Sequence, residues 1–205
     1  MLALAGGSTP RPAYEALAAD ARVTPRDWAR IHLAFGDERV VPPDDPASNY
    51  HMVREALLDR VPIPAANVHR IRGEEAAPVA AKAYERELHD LLAPDGRFDL
   101  VLLGLGADGH TASLFPMQPA VHERSRWVLP VSGIAGRTDR VTLTPVVLNA
   151  ARAVLFLVTG EAKSETLRAV LEGAPDPDRL PAQVVRPEAG QVSWLVDEGA
   201  VGSFR

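Results

Sequence analysis

The stretch Phe98-Asp99-Leu100-Val101-Leu102-Leu103-Gly104-Leu105-Gly106-Ala107-Asp108-Gly109-His110-Thr111-Ala112-Ser113-Leu114-Phe115-Pro116 runs from a short apolar segment straight into a glycine-rich turn. Leu100 to Leu103 lacks polar alternation, the pattern of a strand buried on both faces of a parallel sheet. Leu2 to Ala5, Ile31 to Phe35, Val154 to Val158 and Val192 to Val196 share that pattern. Helical stretches lie between these runs. Ser48 can cap a helix that carries Met52, Val53, Ala56 and Leu57 on one side, and Val79 to Leu92 has helical spacing before Pro94 and Gly96 stop it. Thr144 offers a hydroxyl cap before Pro145 at a first helical position, and Glu161 to Leu171 reads as another helix. Strands alternating with helices predict an α/β fold, a three-layer α/β/α arrangement with a mostly parallel, Rossmann-like sheet. Ligands gather at the carboxyl ends of such strands.

At 205 residues, with 46% hydrophobic and 24% charged residues, the chain has the length and composition of a single globular domain spanning 1–205. Its net charge of −5, with no basic tail or basic amphipathic helix, argues against a general nucleic-acid or membrane-surface binder. Cysteine is absent, which excludes disulfides, thiolate metal sites and a cysteine nucleophile and suits a cytoplasmic protein. The opening Met1 to Gly7 lacks the basic region of a signal peptide, and no apolar run approaches the roughly 20 residues of a membrane span. The proline-rich pieces Val41 to Pro46 and Ala174 to Pro177 are too short for interdomain linkers and read as loops.

Four segments could carry chemistry. Ala5-Gly6-Gly7-Ser8-Thr9-Pro10 follows the first strand: a Gly-Gly bend lets backbone approach an anion, and Ser8 and Thr9 add hydroxyl donors. The same residues would also serve a plain capped turn. Phe35-Gly36-Asp37-Glu38-Arg39 puts three charged side chains just past a strand, where they need an internal Asp37–Arg39 interaction or a substrate contact. Gly104, Gly106 and Gly109 match the dinucleotide fingerprint spacing, but Pro116 interrupts the helix that motif needs, and Trp127 to Val131 ends without the acid that would hold a ribose. His110 at the end of that turn is displayed to a cleft, and a histidine with a reference pKa near 6.5 can take a proton from water and return it. The remaining histidines, His32, His51, His69, His89 and His122, show no zinc-type spacing, so no metal is expected. In Val158-Thr159-Gly160-Glu161-Ala162-Lys163-Ser164, Lys163 is one of two lysines against twenty arginines, a hint that a compact ammonium is kept there for phosphate.

Taken together, AGGSTP, FGDERVVP with Ser48-Asn49-Tyr50, NVHRIRGE from Asn67, FDLVLLGLGADGHTASLFP, RVTLTPVVLNAA from Arg140 and VTGEAKSETL resemble the glucosamine-6-phosphate isomerase/6-phosphogluconolactonase family over essentially the whole chain. The block that ends in TASLFP has the lactonase form; a deaminase would typically continue past its histidine with an Ile-Ala-Phe-Asn-Glu-like segment. The resemblance implies hydrolysis of 6-phospho-D-glucono-1,5-lactone to 6-phosphogluconate in the oxidative pentose-phosphate pathway, without a cofactor. By that implication His110 activates water, Asp37 and Arg39 hold and polarise the site, Gly6, Gly7, Ser8, Thr9 and Lys163 receive the phosphate, and Arg140 is an addition to them. Asn49 binds a sugar hydroxyl, and Gly109 belongs to the same substrate-binding set. The expected partner is the small sugar-phosphate lactone, with no nucleic acid and no membrane, for a monomer or weak homodimer. Two features depart from the family pattern. The chain opens at the AGGSTP strand, where members carry a strand and helix before it, and Ser132 to Asp139 lacks the usual proline and lysine character. The competing readings are an amino-sugar-phosphate deaminase or isomerase, which needs a further acid for proton transfer at carbon, and a non-catalytic sugar-phosphate sensor, which has no need of His110. Sequence leaves open whether Asp37 or a water orients that histidine.

Overall fold

A computed structural model describes residues 1–202. In chain order the elements are β1 (Leu2–Leu4), α1 (Arg11–Ala19), α2 (Pro25–Trp28), β2 (Leu33–Phe35), β3 (Asp37–Arg39), α3 (Asn49–Ala56), β4 (Val68–His69), α4 (Ala77–Leu91), β5 (Leu100–Gly104), β6 (Val128–Val131), β7 (Arg140–Leu143), α5 (Pro145–Ala150), β8 (Ala153–Val158), α6 (Ser164–Glu172), β9 (Gln191–Val196) and α7 (Glu198–Val201), joined in places by short 3₁₀ turns. The main sheet is parallel throughout, in the order β4-β2-β1-β5-β8-β9. Numbered along the chain, those strands read 3-2-1-4-5-6, the doubly wound order whose switch point lies between the two central strands. Steps from β1 to β2 to β4 run one way and steps from β5 to β8 to β9 the other. Right-handed crossovers therefore put α1 and α3 on one face and α6 on the opposite one, giving the expected three layers.

The expectation that every strand is buried on both faces fails in one half of the sheet. Strand β2 is buried throughout, but along β5 and β9 buried or partly buried residues alternate with more exposed ones, and Leu195 is 62% exposed. On that half the crossovers pass over one face only. The other face keeps Leu102, Leu155 and Leu195 incompletely covered, and an apolar sequence run cannot reveal this.

A second, antiparallel sheet in the order β3-β7-β6 was not anticipated. Asp37–Arg39, read from sequence as charges on a loop, form one of its strands, with Asp37 opposite Thr142 and Arg39 opposite Arg140. Gly36 joins the two sheets: its N–H donates to Leu4 O at 2.9 Å and its carbonyl accepts from Leu143 N at 2.8 Å. The second sheet therefore starts where β2 ends, at the carboxyl edge of the first. Helix α4 secures it, because the Glu85 carboxylate accepts from the N–H groups of Trp127 at 2.6 Å and Val128 at 3.3 Å.

Two buried tyrosines close the ends of the central strands. The Tyr14 hydroxyl donates to Ala5 O at 2.9 Å and accepts from Ala5 N at 3.0 Å, and Tyr84 does the same for Phe35 at 3.0 and 2.8 Å. Backbone that has left the parallel ladder is thus still paired. Ser48 caps α3 as expected, accepting from His51 N at 3.1 Å. Thr144 does not cap α5: its hydroxyl donates instead to Arg126 O, joining the helix start to β6. The stretch from Glu161 divides into a 3₁₀ turn, Glu161–Lys163, followed by α6.

Candidate active site

A cleft of ≈ 260 Å³ opens at the switch point, over the carboxyl ends of β1 and β5. The structure brings Gly6, Gly7, Ser8, Thr9, Asp37, Arg39, Asn49, His110, Arg140 and Lys163 to its walls, from separate segments of the chain. Gly109 is the exception among the expected residues. Its φ is +81°, and a Cβ there would meet Leu180 Cδ2 at 2.8 Å, so its lack of a side chain is required by a tight turn against the 179–182 segment.

In the loop after β5, Gly106 is required by the histidine. Gly106 N donates to His110 O at 2.8 Å, Gly109 N donates to Gly106 O at 3.0 Å and Thr111 Oγ1 donates to Gly104 O at 2.8 Å, so the turn is closed on itself. A Cβ on Gly106 would fall 1.9 Å from His110 Nδ1 and 2.5 Å from Asp108 Oδ1. The space it leaves holds a pair that sequence reading missed: His110 Nδ1 hydrogen-bonds Asp108 Oδ1, and His110 N donates to the same oxygen at 3.2 Å. Asp108, neither Asp37 nor a water, is therefore the group that orients the ring. The hydrogen bond from His110, partly opposed by burial, holds the Asp108 carboxyl down at about 2, so it is ionised throughout the neutral range. With Nδ1 committed to a carboxylate, the neutral imidazole carries its proton there. Its Nε2 makes no hydrogen bond to any described residue. Phe115 packs against the ring at 4.7 Å between centroids.

The loop after β1 is built the opposite way. Gly7 has φ +91°, a Cβ added there would meet nothing within 4 Å, and the N–H groups of Gly7, Ser8 and Thr9 donate to no described acceptor. Thr9 Oγ1 lies 3.1 Å from Thr159 Oγ1, which ties this loop to the segment after β8 that carries Lys163. The Lys163 ammonium forms no ion pair or hydrogen bond with a described residue. Bare N–H groups, a hydroxyl and an unpaired ammonium together suit an anion.

The second sheet supplies the third wall. Residues alternate across a strand, so Asp37 and Arg39 share one face and Glu38 takes the other. The internal Asp37–Arg39 pair considered from sequence does not form. Asp37 Oδ1 accepts from Asn49 Nδ2 at 3.0 Å, Oδ2 accepts from Ser113 Oγ at 2.6 Å, and Arg140 Nη1 stands 3.8 Å away. Arg39 donates to Ala47 O and sits directly across the ladder from Arg140. Like charges in that relation repel. Burial first, and Arg39 second, lower the pKa of the Arg140 guanidinium. A cleft-bound anion would relieve both costs. Two buried polar atoms on cleft residues have no hydrogen-bond partner among the described residues, Arg39 Nε and Asn49 Oδ1. Gly6 makes room for the second, since a Cβ there would fall 1.8 Å from Asn49 Oδ1.

Glu38, 2% exposed, supports the site from behind. Its carboxylate accepts from the N–H groups of Arg39 and Asn49, each at 2.7 Å, from Tyr50 N at 2.8 Å and from Ser48 Oγ at 3.0 Å, gathering the amino end of α3. Burial raises its pKa against the pull of those N–H groups. The alternation of Asp37-Glu38-Arg39 and the capping pattern from Ser48 were the signals that could have found it. Among the described residues no group of three or more histidines and carboxylates is placed to hold a metal, and no helix is long and apolar enough to cross a membrane.

Comparison with known proteins places the chain in a family. Residues 1–194 match the family model described as glucosamine-6-phosphate isomerases/6-phosphogluconolactonase. A 6-phosphogluconolactonase of Synechocystis sp. is 43% identical over 209 residues, covering 100% of this chain and 84% of that one. The crystal structure of 6-phosphogluconolactonase from Thermotoga maritima superposes with a TM-score of 0.82 at 37% identity over 96% of this chain and 84% of that one. The Trypanosoma brucei 6-phosphogluconolactonase structure gives 0.86 at 35% identity over 100% and 86%. The chain belongs to the glucosamine-6-phosphate isomerase/6-phosphogluconolactonase family.

Proposed function

We propose that this chain hydrolyses 6-phosphogluconolactone to 6-phosphogluconate in the cytoplasm, as the lactonase step of the pentose-phosphate pathway, with His110 as the water-activating base. The observation that carries the reading is the pairing of His110 with Asp108 on one wall of a cleft whose other walls hold an anion cradle. Lys163, Ser8, Thr9 and the N–H groups of the Gly6-Gly7 bend receive the phosphate. Asn49 Oδ1 accepts from a sugar hydroxyl. Arg39 and Arg140 face the lactone carbonyl, and Asp37 holds Arg140 and Asn49 in place.

In the reaction, His110 Nε2 takes a proton from a water molecule as its oxygen bonds to the lactone carbonyl carbon. The carbonyl oxygen becomes an oxyanion, stabilised by the guanidinium groups. When the carbonyl re-forms, the bond from that carbon to the ring oxygen breaks. The ring oxygen leaves with the proton that His110 took, which restores the neutral base. Asp108 stabilises the imidazolium in between. The phosphate, remote from the reacting carbon, contributes binding energy that orients the ring. No step requires a metal or cofactor.

Proton transfer at carbon, the chemistry of a deaminase or isomerase, needs a free acid. Among the described residues Asp37 is the one carboxylate lining the cleft, and both its oxygens are already engaged. The test is hydrolysis of freshly generated lactone above its spontaneous rate by the purified protein. His110→Ala is expected to lose about 10²- to 10⁴-fold in kcat while remaining folded, and chelator is expected to leave activity intact. Equal, slow rates for wild type and His110→Ala, with both still binding 6-phosphogluconate, would instead make the protein a sensor.

A further inference from the structure

We propose that Arg137 is a positioning residue for His110, acting through Asp108; the inference rests on His110 being the base. Arg137 lies on the exposed segment between β6 and β7 and does not line the cleft. Its side chain nevertheless reaches the loop after β5. Nη2 donates to Asp108 Oδ2 at 3.1 Å, and the guanidinium carbon stands 4.5 Å from the centre of the Phe115 ring. Asp108 and Phe115 both contact the His110 imidazole, one at Nδ1 and one against the ring. Arg137 thus touches both of these supports of the histidine from outside the cleft lining.

The physical need for such a group comes from Asp108. Its side chain is 39% exposed, and a carboxylate held at one oxygen can rotate and offer its second oxygen to water. A donor on Oδ2 fixes the carboxylate plane and leaves Oδ1 for His110, as outer-shell partners do for metal-bound histidines. An arginine suits this because its planar group can hydrogen-bond an acid at its edge while lying over an aromatic ring. The neighbouring charges are otherwise committed. Arg140, 6.0 Å from the same ring, is paired with Asp37, and Arg39 and Lys163 line the cleft.

An incidental surface ion pair would contribute almost nothing, so the two cases separate cleanly. In ¹⁵N NMR of the whole protein, wild type is expected to show His110 mainly as the Nδ1–H tautomer, Arg137→Ala a mixture with the Nε2–H form, and Arg137→Lys partial recovery. In kinetics, Arg137→Ala is expected to lower kcat about 10- to 100-fold with KM within about twofold. In an Asp108→Asn background the same change should cost little more, because both substitutions break one arrangement. The proposal is overturned if the tautomer and kcat of Arg137→Ala match wild type, if the losses of the two variants multiply, or if KM rises with kcat unchanged, which would make Arg137 a ligand contact. Absence of lactone turnover in wild type would sink the functional reading, while the tautomer measurement would still decide the role of Arg137.

Discussion

The loop after β1 and the loop after β5 leave neighbouring parallel strands at the same edge of the sheet, and both are rich in glycine. The loop after β5 is tied to itself and to its neighbours. Gly106, Gly109 and Thr111 bond within the turn, Ala107 O accepts from Thr166 Oγ1 at 2.7 Å, and Gly109 O accepts from Ala182 N at 2.9 Å. The loop after β1 keeps the N–H groups of Gly7, Ser8 and Thr9 without partners among the described residues. Glycine in the first case clears space for a fixed side-chain pair; in the second it leaves backbone uncovered for something that arrives from outside. A rigid base beside an unsatisfied cradle is what a hydrolase needs when one end of the substrate reacts and the other is held.

The sharpest way to break the contrast is to add one methyl group to each loop. Gly106→Ala drives a Cβ into the space of His110 Nδ1 and Asp108 Oδ1, so either the turn shifts or the pair separates. Loss of about 10²-fold in kcat is expected, approaching the effect of losing the base, with KM changed far less. Gly7→Ala meets no atom, and its cost is the strain of a positive φ, roughly 1 kcal/mol. It should show mainly as weaker phosphate-dependent binding. Steady-state kinetics on the two variants decide the matter, and equal losses in kcat would erase the distinction between the loops.

Next in size is Lys163→Ala. Removing an ammonium with no partner among the described residues leaves no orphaned acid behind, so folding should be unaffected. Losing a charge-assisted contact to phosphate should cost about 1.5–3 kcal/mol, or about 10- to 100-fold in kcat/KM. The defect should sit largely in KM, and inorganic phosphate should inhibit wild type more strongly than the variant. An unchanged KM would remove Lys163 from the cradle.

How much of this was readable beforehand follows from what each feature depends on. Apolar runs and glycine turns are local, so β1, β2, β5, β8 and β9, and the cleft at their ends, were legible. So was the place of His110 in that cleft, because a histidine closing a glycine turn has few packing roles. The second sheet was not, because the strand Asp37-Glu38-Arg39 is charged in sequence and becomes a strand only by pairing with residues about a hundred positions away. Asp108 stood two residues from His110 and was still missed: the fingerprint spacing drew attention to the glycines, and only the backbone path turns the acid onto the ring. Gly109 lies outside the cleft lining, and local sequence could not show this, since close packing against Leu180 and ligand approach both favour glycine. Arg137 could not be found by any local rule, because its partners belong to a different loop.

The smallest expected effect concerns Asp108 and separates the loops by pH instead of by rate. Its folded carboxyl sits at about 2, chiefly through the hydrogen bond from His110, against an ordinary value near 4 in an unfolded chain. Between those values the unfolded chain binds more protons. The stabilisation from Asp108 is therefore complete above about pH 4 and is lost as pH falls toward 2. Because the side chain is 39% exposed, solvent screening limits it to about 1 kcal/mol or less. Asp108→Asn should accordingly unfold with a flatter pH dependence than wild type between about pH 5 and 2, the two curves converging at the acid end. Other carboxylates with lowered pKa values, Asp20 and Glu123 among them, are common to both proteins and cancel in the difference. Ser8→Ala, in the loop that holds no acid, should give a curve parallel to wild type. Denaturant unfolding across that pH range tests both at once, and parallel curves for Asp108→Asn would mean that the pair with His110 adds nothing to the stability of the loop that displays it.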